Sequence, residues 1–460
     1  MERYQVSQPA ISISEERQRE LVTILLGNAS EVSELWLNSS SPYLGWDKFN
    51  AKYRSGLLSK AACFKGINAT EAWFMVNVRR RLSNDLSPVT DTSGHTFNWS
   101  KNIYIEKQLH EFDMKLGGNL MSDTFSSGKL NRERYLRQSL VEEAIASSQL
   151  EGAATTRQAA KKMLAENKKP KSHGEWMIYN NYHTIRKIEQ ETANYPLSRD
   201  VLLDLHVLMT KNAIDPEQMG RWRRDNDDIV IKRIIGSVEY VAHIPPIEEQ
   251  LQPEIDKLIA FANDDGDTQL QFLHPIIKAI MLHFWFAYIH PFCDGNGRLA
   301  RSLFYWYLLK NGYWFVSYVP ISTVIKKSPI GYADAYSFSE QYGSDMTYFI
   351  DYNVQKLGIA LRMFDEHVNN ERRKTATIDS LIPEKDLNER EKQVLHHLLN
   401  KPEDSVTAQR HSDFHEVSWI TASQDLKRLA KLNYLESVKR GKEVQYRASD
   451  KLLKLSGEVI

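Results

Sequence analysis

The string HPFCDGNGRLAR, His290 to Arg301, brings together the side chains that phosphate chemistry uses. His290 has an unperturbed pKa of about 6.5, so its imidazole can accept a proton from an attacking hydroxyl near neutral pH. Asp294 offers the hard oxygen ligands that suit Mg²⁺ or Mn²⁺ beside phosphates. Arg298 and Arg301 are three residues apart on one helix face, where both can pair with phosphate oxygens. The combination predicts transfer chemistry at a bound phosphate.

The backbone of the same string predicts an anion site. Pro291 cannot continue the apolar helix that precedes it, and Gly295 and Gly297 permit a tight loop before a second helix begins. The N–H groups at the start of that helix point at a phosphate, and the helix dipole adds to their attraction. Asn296 can orient or bond the phosphates without adding charge.

At these positions the sequence resembles the Fic (Fido) family, whose signature is HxFx(D/E)GNGRxxR, and every fixed position matches. The resemblance implies a mainly α-helical bundle with a β-hairpin flap. It also implies transfer of AMP from ATP to a Ser, Thr or Tyr hydroxyl of a protein, with release of pyrophosphate. Another phosphate-containing donor stays open. The roles implied are His290 as general base, Asp294 as Mg²⁺ or Mn²⁺ ligand, Phe292 as loop anchor, and Gly295, Asn296, Gly297, Arg298 and Arg301 as nucleotide contacts.

Upstream, Ser147, Glu151 and Gly152 have the spacing S-x-x-x-E-G in a stretch with helical periodicity, which puts Ser147 and Glu151 on one face. The pattern is similar to the inhibitory motif (S/T)xxxE(G/N) of Fic proteins. The resemblance implies that Glu151 pairs with Arg301 and holds the transferase at low activity. In some relatives the same Glu also supports removal of AMP, which stays open here.

Two further segments fit the resemblance. Arg223 matches the Arg of a G-x-x-R segment, although an exposed basic turn is an equal alternative. Ile229 to Pro246 has β-branched residues on both sides of Gly236-Ser237, which predicts a hairpin. This hairpin resembles the Fic flap, which docks the target by main-chain pairing through a segment that here includes Val238, Tyr240 and Val241. An edge hairpin without a binding role is the alternative.

Composition limits the remaining classes. Lys and Arg number 59 and Asp and Glu number 59 among 460 residues, so any contact with nucleic acid must be local. Cys63 and Cys293 cannot build a cysteine zinc module, and Cys293 is either a small filler or a reactive thiol beside the site. The start lacks the apolar run of a secretory signal, and no run reaches the ~20 residues of a membrane span. We expect a soluble, cytoplasmic protein without a membrane partner.

Helical periodicity dominates most of the chain, including the region from Ile13 to about Arg81. The polar stretch from Ser83 to Trp99 is predicted to be a loop. The domain prediction is an N-terminal helical region at residues 1–103, a Fic core at 104–365, a linker at 366–378 and a last domain at 379–460. The core helices are predicted at Leu130–Asn167, Glu175–Ala193, Arg199–Lys211, Ile247–Ala262, Pro275–His290 and Gly297–Lys310.

The last 80 or so residues read as helix, helix, helix and hairpin, the order of a winged helix-turn-helix domain. The segment from Ser418 to Arg447 is basic, with seven Lys or Arg against three acids. The resemblance implies DNA contacts, although protein docking or homodimer formation by this module is an alternative. A DNA-binding transcriptional regulator, whose core only senses nucleotide, competes with the enzyme. The predicted DNA contacts are Ser418, Thr421, Gln424, Lys427, Arg440 and Lys442, with Ser423 on the same side.

Overall fold

The computed structural model describes residues 2–10, 12–28, 43–56, 64–82, 84–117, 129–264, 272–381, 386–415, 417–440 and 443–456. The chain divides into two compact units, Met1–Leu361 and Arg362–Ile460. The boundary expected at residues 103 and 104 therefore does not separate two compact units. Within the described residues, no helix is long and apolar enough to cross a membrane.

The first unit opens with helices α1 (Glu15–Gly27), α2 (Trp46–Arg54) and α3 (Ala69–Arg81). The Ser14 hydroxyl accepts the Arg17 N–H at the start of α1, and Asn68 with Glu71 forms a capping box at the start of α3. The rings of Trp46 and Trp73 meet edge to face at 5.8 Å inside a buried cluster. These contacts make the two tryptophans core anchors of this helical region.

Residues 85–99 correct the predicted loop. They form a hairpin of strands β1 (Asp85–Thr90) and β2 (Thr96–Trp99). Phe97 is fully buried and packs against Phe284 and Tyr288, so the strand gains apolar contacts that its polar composition hides. The Asp91 carboxylate accepts main-chain N–H groups in the turn. Short polar side chains therefore serve the turn, while alternate residues enter the core.

The rest of the first unit is a helical bundle around α10 (Pro275–Ile289), and residues 276–286 of that helix are all buried. The flap hairpin, β3 (Ile231–Ile235) and β4 (Val238–His243), turns at Gly236, which has a φ of +64°. The other helices are α4 (Ile103–Leu116), α5 (Lys129–Leu150), α6 (Arg157–Ala165), α7 (His173–Gln190), α8 (Arg199–Thr210), α9 (Glu248–Asn263), α11 (Asn296–Lys310), α12 (Ile321–Ile325) and α13 (Pro329–Gln341). Helix α14 (Thr347–Leu381) begins in the first unit and ends in the second.

Two helix predictions need correction. The expected continuous helix Leu130–Asn167 is interrupted after Leu150, because Gly152 adopts a φ of +92° and ends the helix. Glu151 therefore lies in a turn between α5 and α6. The expected linker, residues 366–378, is part of helix α14. Its polar composition suggested an irregular segment, but Glu, Arg, Lys and Ala all favour helix.

The second unit contains α15 (Glu389–Asn400), α16 (Ala408–His415), α17 (Trp419–Lys431) and α18 (Asp450–Ser456). Strands β5 (Val406–Thr407), β6 (Leu435–Arg440) and β7 (Glu443–Ala448) form one sheet in the order β5-β7-β6. Leu395, Leu398, Leu426, Leu429 and Tyr434 lie in its buried core. The described elements follow the predicted order of three helices and a hairpin.

Candidate active site

The loop between α10 and α11 has the shape expected from its Pro and Gly residues. His290 ends α10 with a φ of +50°, and Gly295 precedes α11 with a φ of +85°. The first intrahelical bond of α11 joins the Leu299 N–H to the Gly295 carbonyl at 2.9 Å. The N–H groups of residues 296–298 precede that bond, so the helix itself does not use them. This end of α11 has the donors of an anion site.

Phe292 anchors the loop, as predicted. Its ring is fully buried between the His206 ring, at 3.7 Å, and the Trp222 ring, at 4.8 Å. The Asn296 amide closes the loop, because Oδ1 accepts the Phe292 N–H and Nδ2 donates to the Phe292 carbonyl. Both polar ends of the Asn296 side chain are therefore engaged in holding the loop. The contact of Asn296 with phosphate stays a prediction, for which its main-chain N–H and the second hydrogen of Nδ2 remain.

The imidazole of His290 is arranged as a base. Its Nδ1 lies 3.1 Å from the Ala287 carbonyl, which can only accept, so Nδ1 carries the proton and Nε2 has the free lone pair. Burial lowers the pKa of His290 to about 4, against the opposing hydrogen bond to Ala287. The ring is therefore neutral at pH 7 and able to accept a proton.

Arg223 fixes the end of α10 that carries His290. Its Nε donates to the His290 carbonyl at 2.7 Å, and its Nη2 donates to the Ile289 carbonyl at 3.2 Å. A buried guanidinium at the carboxyl end of a helix also complements the helix dipole. Arg223 is thus a structural clamp on the base rather than an exposed basic turn.

His206 is a site residue that the sequence prediction missed. Its Nδ1 accepts the Gly220 N–H at 3.1 Å, so Nε2 carries the proton and donates to the Asp294 carbonyl at 3.1 Å. Burial lowers the pKa of His206 to about 4 and keeps it neutral. His206 therefore holds the loop from the side of α8. Its hydrogen-bond partners are main-chain groups far away in sequence, which leave no pattern to read.

Asp294 lies at the rim of the site with 40% of its side chain exposed. Oδ1 accepts the Gly295 N–H, and Oδ2 lies 3.2 Å from Nη2 of Arg298. Among the described residues, no group of three His, Cys, Asp or Glu side chains could hold a metal by itself. One exposed carboxylate beside a phosphate site still fits Mg²⁺, which keeps waters and takes its remaining ligands from substrate phosphates.

The two motif arginines are buried and point in different directions. Arg298 is fully buried, its Nη1 lies 3.4 Å from the Met209 carbonyl, and its Nε has no hydrogen-bond partner among the described residues. Arg301 donates from Nε to the Ser147 hydroxyl at 2.8 Å and from Nη2 to the Ser147 carbonyl at 2.9 Å. Both cations line the start of α11. Arg301 is already engaged by α5.

Glu151 lies directly on the anion site. Its Oε1 is 2.9 Å from Nη2 of Arg301, and the exposed fraction of its side chain is 33%. A Cβ at position 297 would overlap that carboxylate, so the glycine gives Glu151 its place against the first turn of α11. Burial works to lower the pKa of Arg301, but the charge and hydrogen bond of Glu151, together with the Tyr332 hydroxyl, outweigh burial and the pKa is raised. The carboxylate thus fills the space, and pairs with the Arg301 cation, that a bound phosphate would use.

Buried hydrogen bonds hold α5 in position to present Ser147 and Glu151. Glu143 accepts from both the main-chain N–H and the hydroxyl of Ser322. The Ser148 hydroxyl donates to the Met177 carbonyl at 3.2 Å, and Asn181 donates to the Ala144 carbonyl at 3.2 Å. The helix is therefore attached to α7 on one side and to α12 on the other. Gly152, with its positive φ, then turns the chain immediately after Glu151.

A second cluster near Arg301 also escaped prediction. Nε2 of His283 lies 2.8 Å from the Tyr332 hydroxyl, which lies 3.3 Å from the Tyr336 hydroxyl. His283 is buried, whereas Tyr332 and Tyr336 are partly exposed. Burial lowers the pKa of His283 well below its usual range, and the nearby Arg301 charge lowers it further. These residues come from α10 and α13, so only folding brings them to the motif arginine.

Cys293 is not a reactive thiolate. Burial and the neighbouring Asp227 carboxylate raise the pKa of the thiol to about 11. The thiol is therefore protonated at neutral pH, and the small-filler interpretation holds. Cys63 lies outside the described residues.

The flap residues differ in exposure. Val238, near the turn, is 48% exposed, whereas Val241 is only 8% exposed. The main-chain N–H and carbonyl of Val241 pair with Glu2 and Tyr4, and the Tyr240 ring meets Tyr4 edge to face at 6.3 Å. Two of the three predicted docking residues are therefore already covered by the N-terminal segment.

The predicted DNA contacts lie in the second unit. The Ser418 hydroxyl caps α17 and bonds the Thr421 hydroxyl at 2.9 Å, while Gln424 and Lys427 are exposed. Ser423 is buried, so the expectation that it faces DNA is wrong. Arg440 ends β6, its side chain is not among those described, and Lys442 lies outside the described residues.

Residues 196–308 match the model of the Fic/DOC family. The matched residues include the loop, both motif arginines and His206.

Similar curated proteins carry the name protein adenylyltransferase Fic. The one from Nematostella vectensis is 27% identical over 198 residues, 41% of this chain and 42% of the relative. The one from Drosophila melanogaster is 26% identical over 217 residues, 45% of this chain and 39% of the relative. Protein adenylyltransferase fic-1 of Caenorhabditis elegans is 28% identical over 118 residues, 25% of this chain and 20% of the relative. The chain thus spans less than half the length of each relative.

Solved structures of Fic proteins are also similar. A Fic family protein from Desulfovibrio desulfuricans has a TM-score of 0.49 at 18% identity, covering 76% of this chain and 95% of its own. Fic-1 of Caenorhabditis elegans has a TM-score of 0.48 at 16% identity, covering 77% of this chain and 98% of its own.

The neutral state of His290 predicts an unusual acid limit for catalysis. Because its pKa is about 4, the base should stay deprotonated well below pH 6.5. We expect kcat/KM of an active variant to be nearly flat from pH 7 to about 5, to be halved at the pKa and to approach a tenfold fall per pH unit below it. Initial rates at constant ionic strength would measure this. An acid limb centred at pH 6 to 7 would contradict the buried, neutral base.

Ser147 is predicted to stabilise the fold through Arg301. Ser147→Ala removes the acceptor of the buried Nε, and an unmade hydrogen bond of a charged group costs about 1–3 kcal/mol. Scanning calorimetry should show a lower Tm than for Ser55→Ala, which removes an exposed hydroxyl. Equal Tm values for the two variants would mean that this contact adds no stability.

Proposed function

We propose that the chain is an auto-inhibited protein adenylyltransferase that moves AMP from ATP to a Ser, Thr or Tyr hydroxyl of a protein. The observation that carries the proposal is the neutral His290 base next to an α11 anion site, with the Glu151 carboxylate lying on that site. A base and a phosphate cradle in one loop serve transfer at phosphorus, and the family match agrees with this chemistry.

The proposed reaction uses groups already described. Nε2 of His290 takes the proton of the target hydroxyl while its oxygen bonds to the α-phosphorus of ATP. The bond from that phosphorus to the bridging oxygen breaks, and pyrophosphate leaves with the electron pair. The N–H groups of residues 296–298 and the two motif arginines bind and orient the triphosphate. Asp294 would hold Mg²⁺ or Mn²⁺, which neutralises phosphate charge when bound.

Inhibition follows from competition for Arg301. A γ-phosphate needs this guanidinium, and the Glu151 carboxylate both engages it and repels a polyanion at the same place. ATP then binds in a geometry that does not align the α-phosphate with the hydroxyl. Whatever moves Glu151 away from Gly297 would activate transfer. Removal of AMP with Glu151 orienting a water is a further proposal on the same residues.

The test uses ATP labelled at either the α- or the γ-phosphate, with Mg²⁺ and the Glu151→Gly variant. We expect α-label on protein, no γ-label, and a mass increase of one AMP. Protein labelled only by ATP carrying the label at the γ-phosphate would indicate phosphoryl transfer instead of AMP transfer. No label from ATP, but label from another nucleotide, would change the donor and keep the loop chemistry.

For the second unit we propose a winged helix-turn-helix module that binds DNA. Its support is the order of three helices and a hairpin, together with exposed Gln424, Lys427 and Lys431 along α17. Asp425, one of the few acids in this segment, is buried and paired with Arg390, so it does not reduce the surface charge of α17.

A salt titration of duplex DNA binding tests this module. Phosphate contacts require the log of the affinity to fall steeply and linearly with log salt. Absence of binding at low salt would favour protein docking, for which exposed Trp419 and Ile420 at the start of α17 are suited. A regulator whose core only senses nucleotide would bind DNA and ATP but transfer no label.

A further inference from the structure

The N-terminal segment pairs with the free edge of the flap. The Tyr4 N–H donates to the Val241 carbonyl at 2.8 Å, and the Val241 N–H donates to the Glu2 carbonyl at 2.9 Å. Arg3 lies opposite Val241 in a parallel bridge. The other edge of β4 pairs with β3, so residues 2–4 act as a third strand. Alternate burial of Tyr4 and Val6, with Arg3, Gln5 and Ser7 exposed, has the period of a strand.

Side chains of the core hold this segment by its main chain. Gln341 accepts the Val6 N–H at 2.9 Å and donates to the Tyr4 carbonyl at 3.2 Å. The Tyr342 hydroxyl donates to the Ser7 carbonyl at 2.7 Å. Contacts to main-chain groups do not depend on the side chains of the bound segment. They would therefore accept other extended peptides as well.

One side-chain position of the segment is read specifically. The Arg233 guanidinium lies 4.3 Å above the Tyr4 ring, and Asp334 fixes that guanidinium through an ion pair at 2.6 Å. A cation over an aromatic face favours Tyr, Trp or Phe at this position. Arg233, Tyr240, Val241, Gln341 and Tyr342 thus form a strand groove for an extended peptide with one aromatic residue.

The strand groove lies on the hairpin that contacts the end of α10. Two residues beyond Val241, Nε2 of His243 lies 2.8 Å from the Tyr288 carbonyl, and Tyr288 is two residues before His290. A peptide paired along β4 would therefore lie on the strand that contacts the helix end carrying His290. Only one strand can pair with this edge of β4 at a time.

We propose that residues 2–7 are an internal ligand of the strand groove and that a target segment must displace them. This inference rests on the proposed function for its consequence, since displacement would be a second level of control besides Glu151. The partner is an extended peptide with an aromatic residue at the position of Tyr4 and a hydroxyl side chain farther along.

The test measures groove occupancy directly, without catalysis. The probe is a fluorescent peptide of residues 2–8, ERYQVSQ, followed by polarisation against the full chain and against a variant lacking residues 2–7. We expect at least tenfold tighter binding to the shortened variant. In case the deletion perturbs folding, Tyr4→Pro in the full chain weakens the internal strand instead, because it removes both the N–H that bonds Val241 and the ring that lies under Arg233.

Arg3→Pro is the matched control, because the bonds to β4 are made by residues 2 and 4 and not by the Arg3 N–H. We expect peptide binding to Tyr4→Pro to exceed binding to Arg3→Pro several-fold. Equal and weak binding to all variants would overturn the inference. Peptide binding without any AMP transfer would support the strand groove and contradict the proposed function. AMP transfer by Glu151→Gly without peptide binding would support the proposed function and contradict the strand groove.

Discussion

Glu151→Gly is expected to raise AMP transfer by about 10- to 100-fold, equivalent to about 1.4–2.7 kcal/mol at the barrier. The carboxylate lies 2.9 Å from Nη2 of Arg301 and against Gly297, at the start of α11. Without this carboxylate, the triphosphate can bind the Arg301 guanidinium and occupy the space beside Gly297. Label from α-phosphate ATP, measured as an initial rate on wild type and variant at equal concentrations, gives the ratio.

Glu191→Gly is the matched control for this activation. Glu191 also follows directly after a helix, but it is exposed and makes no ion pair in the part of the chain that the structure describes. Its rate should equal that of wild type. Equal rates for wild type and Glu151→Gly, with ATP bound by both, would remove the inhibitory role of Glu151.

The Glu151→Gly variant should also be less stable than wild type. Removing one partner of a fully buried pair costs about 3–5 kcal/mol, and a Glu151 side chain that is one-third exposed should cost less than that. Arg301 keeps its two bonds to Ser147, which limits the loss. Activation together with a modestly lower Tm is the result expected when a carboxylate that stabilises the fold also competes with the nucleotide for Arg301.

The motif loop could be predicted from sequence because its determinants are local. A Pro that ends α10, a Gly with positive φ and the start of α11 all fall between His290 and Arg301. The pairing of Arg301 with Glu151 came from the resemblance, not from periodicity, and the bonds of Arg301 to Ser147 were not predicted. Periodicity alone extended α5 through Glu151, and the positive φ of Gly152 ends the helix instead.

Contacts between distant segments account for what was missed. His206 meets main-chain groups of Gly220 and Asp294, so its role has no sequence spacing. The use of both ends of the Asn296 amide in the tight turn was not predicted either. The β1–β2 hairpin was hidden because Phe97 is surrounded by polar residues in sequence while it packs on α10 in space.

The pairing of residues 2–4 with β4 was also beyond sequence reasoning. The segment contains no strand-length apolar pattern, and its bonds to Val241, Gln341 and Tyr342 join residues more than 200 positions apart. Such long-range main-chain bonds depend on the position of the flap and of α13. A local pattern cannot encode them.

His290→Asn in the Glu151→Gly background is expected to reduce AMP transfer by about 10²–10⁴-fold, the usual contribution of a general base. Asparagine suits this position because His290 has a φ of +50°, and Asn tolerates the left-handed region better than Ala does. The loop should therefore keep its shape while losing the lone pair at Nε2. ATP binding, measured by calorimetry, should change by no more than about twofold, because the phosphate contacts lie on α11.

The control is His95→Asn in the same background, since His95 has an exposed side chain in the β1–β2 turn and lies outside the candidate active site. Its transfer rate should be unchanged. A His290→Asn rate within a few-fold of the parent would mean that the hydroxyl loses its proton to another group and that the neutral imidazole only shapes the loop. A large loss of transfer rate with unchanged ATP binding would show that His290 acts in the transition state, because a residue that only helps to bind ATP would change the affinity instead.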